Sequence, residues 1–271
     1  MTDKPADPLI EIRGATKRFR SAGGVHTAVR DLTMTVGRGE FVAVAGPTGC
    51  GKSTTLSLVS GLELATEGET RVRGQLVNGI PAGVGYMFQN DAILPWRTVL
   101  DNVAMGPRYR GASKAEARDR ARAWVEKVGL AGFESYYPHQ LSGGMRKRVA
   151  LAQTLVNEPS ILLMDEPFSA LDVQTRALMQ DELLRLWSGT GAAVIFVTHD
   201  LEEAIVLADR VVVMTCSPAT VKGSFTVPLE RPRHVEEIRL TTEFLEIYKE
   251  IWESLRQEVD KTRERGARRV A

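Results

Sequence analysis

From Leu9 the segment LIEIRGATKRF sets Ile10 and Ile12 loosely against Leu9, Glu11, Arg13 and Thr16. That rough alternation of apolar and polar positions predicts a strand. RSAGGVHTA at 20–28 predicts a hairpin turn, and LTMTV at 32–36 a second strand. After the turn GRGE, FVAVA at 41–45 is an unbroken apolar run, the pattern of a buried parallel strand. GPTGCGKSTTLSLVSGL then predicts a glycine-rich loop running into a helix that stops near Gly61.

The middle of the chain changes period. Ser113 followed by Glu116 forms a capping-box signature. Ala117, Ala121, Trp124, Val125 and Val128 then fall on one helical face, and Gly129 ends the helix. SGGMRKRVALAQTLVNEP at 142–159 predicts another helix, stopped by Pro159. ILLMDEP at 161–167 predicts a buried strand, and QTRALMQDELLRLW at 174–187 a helix. AVIFVT at 193–198, HDLEEAIVLA at 199–208 and RVVVM at 210–214 continue as strand, helix and strand. Strands alternating with helices predict a parallel sheet covered on both faces.

Composition narrows the class. The 271 residues exceed one average domain, and 43% hydrophobic with 25% charged residues is globular usage. Thirty-five Lys and Arg against 34 Asp and Glu leave +1, no excess that advertises nucleic acid or an acidic membrane. The two cysteines, Cys50 and Cys216, exclude a disulfide-dense secreted scaffold. MTDKPADPL has no apolar core, so no signal peptide is expected. No apolar run approaches the ~18 residues of a membrane helix. These features predict a soluble, cytoplasmic chain.

Gly46, Pro47, Thr48, Gly49, Cys50, Gly51, Lys52 and Ser53 have the spacing G-x-x-x-x-G-K-[ST], followed by Thr54. Glycines let backbone amides curl around phosphate oxygens, and the helix start adds its partial positive charge. Lys52 would reach the β- and γ-phosphates, and the Ser53 hydroxyl would ligate Mg²⁺. Cys50 is either a reactive thiol at a helix start or a plain small residue, and the second reading is preferred. Asp165 and Glu166 end an apolar strand. The first would hold Mg²⁺ through water, and the second would polarise an attacking water. Leu141, Ser142, Gly143 and Gly144 open a helix as an anion-ready N-terminus or as an ordinary cap.

LSGG before a helix, between a P-loop and a DE-ended strand, resembles the signature of ATP-binding-cassette (ABC) ATPases. Further motifs keep the family's order. Gln89 after the YMF strand resembles the Q-loop glutamine, Ser169 to Asp172 the D-loop, His199 the switch histidine, and Phe19 the aromatic that stacks on adenine. Taken alone, Phe19 reads as core, Gln89 as surface and His199 as a helix cap. The resemblance covers about residues 9–232. It implies an α/β P-loop NTPase core with a parallel sheet, an antiparallel β part and an inserted helical subdomain. It also implies ATP as substrate, Mg²⁺ ligated by Ser53, Gln89 and Asp165, and Glu166 as catalytic base with His199 and Gln89 at the γ-phosphate and metal. Ser142, Gly143 and Gly144 would contact ATP held by a partner subunit, in a head-to-tail homodimer. Lys147 departs from the family, where glutamine is usual, and is expected to affect only local contacts.

QNDAILPWRTVLDNVAMG at 89–106 resembles importers for nitrate, sulfonate, taurine and related solutes. So does the closing stripe Phe244, Tyr248, Ile251, Trp252 and Leu255, which lies on one helical face and is read as packing. The groove beside Gln89 to Asn102 is expected to receive a separate transmembrane permease, with Trp96 either at that contact or in the core. A periplasmic or lipid-anchored solute-binding protein is an indirect partner, nucleic acid is not, and the expected place is the cytoplasmic membrane face. The basic KTRERGARRVA at 261–271 is read as a solvated tail, with membrane-surface or RNA contact as the other reading. The expected division is a flexible leader 1–8, core 9–89, helical subdomain 90–157, core 158–232 and a helical extension 233–271. A soluble cassette of nucleic-acid or translation function is the rival kept, beside an importer for another solute. A P-loop kinase would not explain LSGG or His199, and a binding module without turnover would not need Glu166.

Overall fold

The structure, a computed structural model, describes residues 8–21 and 24–270, and side chains up to residue 262. The leader at 1–7, the hairpin tip at 22–23 and the tail side chains from 263 onward lie outside the described residues. In chain order the elements are β1 (Ile10–Ser21), β2 (Gly24–Val36), β3 (Phe41–Ala45), α1 (Lys52–Ser60), β4 (Glu67–Val72), β5 (Gln75–Leu76) and β6 (Val84–Met87). Then come α2 (Val99–Val103), α3 (Met105–Tyr109), α4 (Lys114–Lys127), a 3₁₀ turn (Pro138–Gln140), α5 (Gly143–Leu155), β7 (Ile161–Asp165) and α6 (Val173–Trp187). The chain closes with β8 (Ala193–Thr198), α7 (Leu201–Leu207), β9 (Arg210–Met214), β10 (Val221–Thr226), α8 (Val235–Ile238) and α9 (Thr242–Val270). Among the described residues no helix is long and apolar enough to cross a membrane.

The chain forms two compact units, Met1–Ala82 with Gly191–Ala271, and Gly83–Thr190. In the first unit β2, β1, β4 and β5 make an antiparallel sheet in that order. The apolar pattern predicts a hairpin turn at 20–28 and a strand from 32. The ladder instead pairs Ser21 with Gly24 and runs to Ile10 opposite Val36, absorbing the irregular stretch as bulges. Beside that sheet in the same unit, β3 pairs parallel with β8 and with β9, and β10 adds antiparallel to β9. All residues of β3 and β8 are buried, as their unbroken apolar runs require of strands covered on both faces. Strands β4, β5 and β10 escaped the sequence reading because EGETRV, QL and VKGSFT have little apolar content.

Two charged groups fasten the C-terminal part of this unit. Arg233 is buried and donates to the carbonyls of Ile205, Val206 and Ala208, which end α7. Loss of hydration there lowers its pKa to about 10. On α9, Phe244, Ile251 and Leu255 are buried, while Tyr248 is half-buried and Trp252 exposed, so the expected stripe packs through Phe244 and its two aliphatic residues. One turn beyond it, Glu258 is 1% exposed; it accepts from the Cys216 amide at 3.0 Å and pairs with Lys222 at 3.0 Å.

The second unit contains β6 and β7 as a parallel pair, with α2 to α6 around them. Ser113 and Glu116 form the expected capping box on α4. Ala117, Ala121, Val125 and Val128 of its apolar face are buried. Trp124 is only half-buried, with Lys127 Nζ 4.6 Å from its ring centroid.

Candidate active site

In the first unit Ala45 of β3 pairs with Thr198 of β8 and with Val213 of β9. Gly46 and His199 therefore leave adjacent parallel strands at the same carboxyl edge, where open α/β sheets bind ligands. A turn closes after Gly46 through the Cys50 amide donating to the Pro47 carbonyl at 3.2 Å. Gly51 caps α1 with φ 128°, and a Cβ there would stand 2.8 Å from the Ala28 carbonyl oxygen. Glycine alone fits, and with no capping side chain the amides of the first turn of α1 stay available to an anion. Lys52 is buried and folds back over the loop, its Nζ donating to the carbonyls of Gly46 at 2.9 Å and Pro47 at 3.2 Å. Phosphate oxygens are charge-assisted partners that compete with those neutral carbonyls.

Around that loop the remaining residues sort by exposure. Ser53 is exposed and Thr54 half-buried on the first turn of α1. Cys50 is buried, and burial pushes its thiol up despite the opposing charge of Lys52. The reactive-thiol reading of Cys50 is thereby overturned, and the plain small residue stands. His199 is exposed at a stiff strand-to-helix joint. Thr198 Oγ1 donates to Glu203 at 2.5 Å and accepts from the Asp200 amide at 3.0 Å. The Asp200 carboxylate caps α7 through the amides of Glu202 and Glu203. Phe19 on β1 is 36% exposed, with Lys17 Nζ 5.1 Å from its ring centroid, so it is not an ordinary core aromatic.

In the second unit Met87 of β6 lies opposite Met164 of β7. Gln89 and Glu166 each follow two residues later, so the ladder delivers both to one edge, with Asp165 as the last residue of β7. Glu166 has φ 42°, an uncommon conformation for a residue with a side chain. Its carbonyl accepts from the Ser169 amide at 3.3 Å and from Ser169 Oγ at 2.9 Å, which holds that turn. Strained backbone of this kind concentrates at functional positions. Asp172 caps α6, accepting from the Thr175 amide at 2.9 Å. That hydrogen bond pulls its carboxyl below the usual range.

Ser142 caps α5 by accepting from the Met145 amide at 3.3 Å, and Leu141 before it is buried. A Cβ on Gly144 would meet Thr175 Cγ2 at 2.8 Å, and one on Gly143 would lie 4.0 Å from Leu171 Cδ2. The LSGG start and the D-loop turn thus pack together. The P-loop, His199 and Phe19 belong to the first unit, and Gln89, Asp165, Glu166, LSGG and Asp172 to the second.

Two residues, Asn102 and Lys147, gained roles the sequence did not reveal. Asn102 is buried and ties the loop ahead of it, accepting from the Leu94 amide and donating to the carbonyls of Leu94, Arg97 and Thr98. The signal was there, a lone Asn inside the apolar VLDNV. Its loop presents Trp96 at 71% exposure, which overturns the core reading of that tryptophan. Lys147, expected to touch only its surroundings, is buried and reaches the Gln89 carbonyl and Asp91.

Residues 29–169 match the family model described as ABC transporter. An ABC transporter ATP-binding protein of Methanocaldococcus jannaschii, MJ0412, is 45% identical over 93% of this chain and 93% of its own length. The nitrate import ATP-binding protein NrtD of Synechocystis is 39% identical, over 91% of this chain and 95% of the relative. The taurine import ATP-binding protein TauB of Burkholderia pseudomallei is 40% identical, over 89% and 95%. Among solved structures, the ATP-binding cassette MJ0796 in a dimeric post-hydrolysis state bound to ADP and Pi superposes with a TM-score of 0.72. It has 31% identity and covers 82% of this chain and 100% of that one.

Proposed function

The chain belongs to the ABC transporter ATP-binding family and hydrolyses ATP, and from that premise we propose that it drives uptake of a small anionic or organic solute through a separate permease. Its relatives NrtD and TauB, named for nitrate and taurine import, support that solute class.

In this reading Lys52 and the amides of the first turn of α1 bind the β- and γ-phosphates. Glu166 accepts a proton from the attacking water, and His199 steadies the γ-phosphate. Phe19 carries the adenine, and Gly46 to Thr54 wrap the phosphate chain. Ser53, Gln89 and Asp165 offer a hydroxyl, an amide and a carboxylate. An all-oxygen set with one carboxylate fits Mg²⁺, which keeps substrate phosphates and waters among its ligands. When bound, the ion would neutralise charge on the phosphates. Leu141 to Gly144 and Asp172 of one copy face ATP held by a second, so two chains close head to tail around nucleotide. The dimeric state of the MJ0796 cassette supports that assembly. A permease partner places the chain on the cytoplasmic membrane face, with a solute-binding protein delivering cargo.

The observation that carries the permease reading is Trp96, a large aromatic held out at 71% exposure by the Asn102-bound loop. Exposed aromatics on a fixed loop are the residues that anchor partner contacts. Replacing Trp96 by Ala is expected to leave basal ATPase and melting temperature near native. It should reduce co-purification with the permease and solute-stimulated hydrolysis. Unchanged permease binding and transport in that variant would refute the assignment of this face.

A further inference from the structure

Lys147 is a buried cation on the helix that begins at the LSGG turn. It projects from the second turn of α5, the helix that Ser142 caps, and is 4% exposed. Its ammonium donates to the Gln89 carbonyl at 2.9 Å and sits 2.8 Å from Asp91 Oδ1. The other carboxylate oxygen, Asp91 Oδ2, lies 3.6 Å from Arg146 Nε. Arg146 Nη1 in turn donates to the Leu141 carbonyl at 2.7 Å. Gln153 Nε2, two turns along the same helix, reaches the Ala92 carbonyl at 3.4 Å. An unbroken chain of charged hydrogen bonds and ion pairs thus runs from the backbone of Gln89 through Lys147, Asp91 and Arg146 to Leu141.

Stability alone does not account for this arrangement. A buried ion pair repays its desolvation poorly, and an apolar pair of similar volume is often as stable. What the pair supplies is directional geometry. It holds the main chain of Gln89, rather than a side chain, against the helix that begins at the LSGG turn.

We propose that Lys147 and Asp91 are positioning residues that lock the Gln89 segment to the signature helix, so that displacing either one displaces the other. The proposal rests on the reading of Gln89 and Ser142 to Gly144 as nucleotide contacts. Through this lock, a shift of the Gln89 segment changes what the chain presents to ATP held by a second copy. Networks of this kind carry coupling only if both ends respond to one element, so the test must read both ends.

The experiment uses the full chain and compares Lys147→Met, Asp91→Asn and the double variant with the unmodified protein. Steady-state kinetics, affinity for a fluorescent ATP analogue, thermal unfolding and amide hydrogen exchange are measured on each. Lys147→Met, which keeps the length of the side chain and removes the donor, is expected to lower kcat by about fivefold or more. Affinity for the analogue should stay near native, because the P-loop is untouched. Exchange should rise over 88–93. The double variant removes the unpaired buried charge, so it should recover melting temperature while kcat stays low.

Recovery of kcat together with melting temperature in the double variant would overturn the proposal. So would native kcat in both single variants, or a rise in exchange spread evenly over 83–190. If Lys147→Met does not fold, Asp91→Asn decides, since it keeps the Lys147 bond to Gln89 and removes the Asp91 ion pairs to both Lys147 and Arg146. A full ATPase rate in Ser142→Arg would instead refute the nucleotide reading. The exchange pattern at 88–93 still judges the lock in that case.

Discussion

Helices α1 and α5 both start at glycine-rich turns, yet they treat their exposed amides in opposite ways. α1 follows Gly51, which has no side chain to cap it, and Lys52 lies folded over the loop carbonyls. α5 follows Ser142, whose hydroxyl accepts from the Met145 amide, and its glycines press against Thr175 and Leu171. The macrodipole favours an anion at either end. One start therefore keeps its own donors open and adds a cation, as a loop that encloses phosphate must. The other has part of its valence met internally and relies on packing to hold a smooth, side-chain-free surface, suited to a ligand presented from outside.

The sharpest way to break this comparison is at Lys52. Lys52→Ala removes the cation folded over the loop carbonyls ahead of α1, and should weaken ATP binding and take turnover to background. Glu166→Gln should keep ATP binding, stabilise an ATP-dependent dimer and lower hydrolysis by about 10²-fold or more. Nucleotide titration with size exclusion checks both. Native affinity and rate in Lys52→Ala would remove the distinction between the two helix starts.

A smaller effect separates the glycines. Gly51→Ala places a Cβ against backbone at φ 128° and should destabilise by about 2–4 kcal/mol while abolishing nucleotide binding. Gly144→Ala meets only the Thr175 methyl and gains helix propensity, so the cost should be about 1 kcal/mol or less. Thermal unfolding without nucleotide reads the difference, and equal costs would mean that α5 is as tightly enclosed as α1.

The smallest effect at neutral pH lies far from both starts and serves as their control. Burial raises the pKa of Glu258, but hydrogen bonds from Lys261, the Cys216 amide and Lys222 outweigh it and hold the carboxyl at about 2. A carboxyl lowered in the folded state stabilises it above its unfolded value near 4.5. That contribution, on the order of 2–3 kcal/mol, fades as pH falls from there towards 2. Glu258→Gln should leave ATPase unchanged at neutral pH and flatten the loss of melting temperature below about pH 4.5. An acid profile identical to that of the unmodified chain would show that other carboxylates govern it.

The sequence by itself determined the strands whose apolar runs are continuous, FVAVA, ILLMD, AVIFV and RVVVM, because burial on both faces leaves no other composition. It also determined the capped helix after Ser113 and the P-loop, since both depend on contacts within a few residues. Gln89, His199 and Phe19 were legible only through their order along the chain. Tertiary structure alone decided the rest, and the reason is the same each time. Trp96 is exposed because Asn102 holds that loop by its hydrogen bonds, Cys50 is buried because the loop folds over it, and Glu166 takes φ 42° because Ser169 ties its carbonyl. The Lys147 ammonium meets Gln89 and Asp91 across more than fifty residues of sequence, at 2.9 and 2.8 Å. No pattern of apolar and polar positions encodes a hydrogen-bond partner at that separation, because such a partner is chosen only when folding brings the two segments within reach.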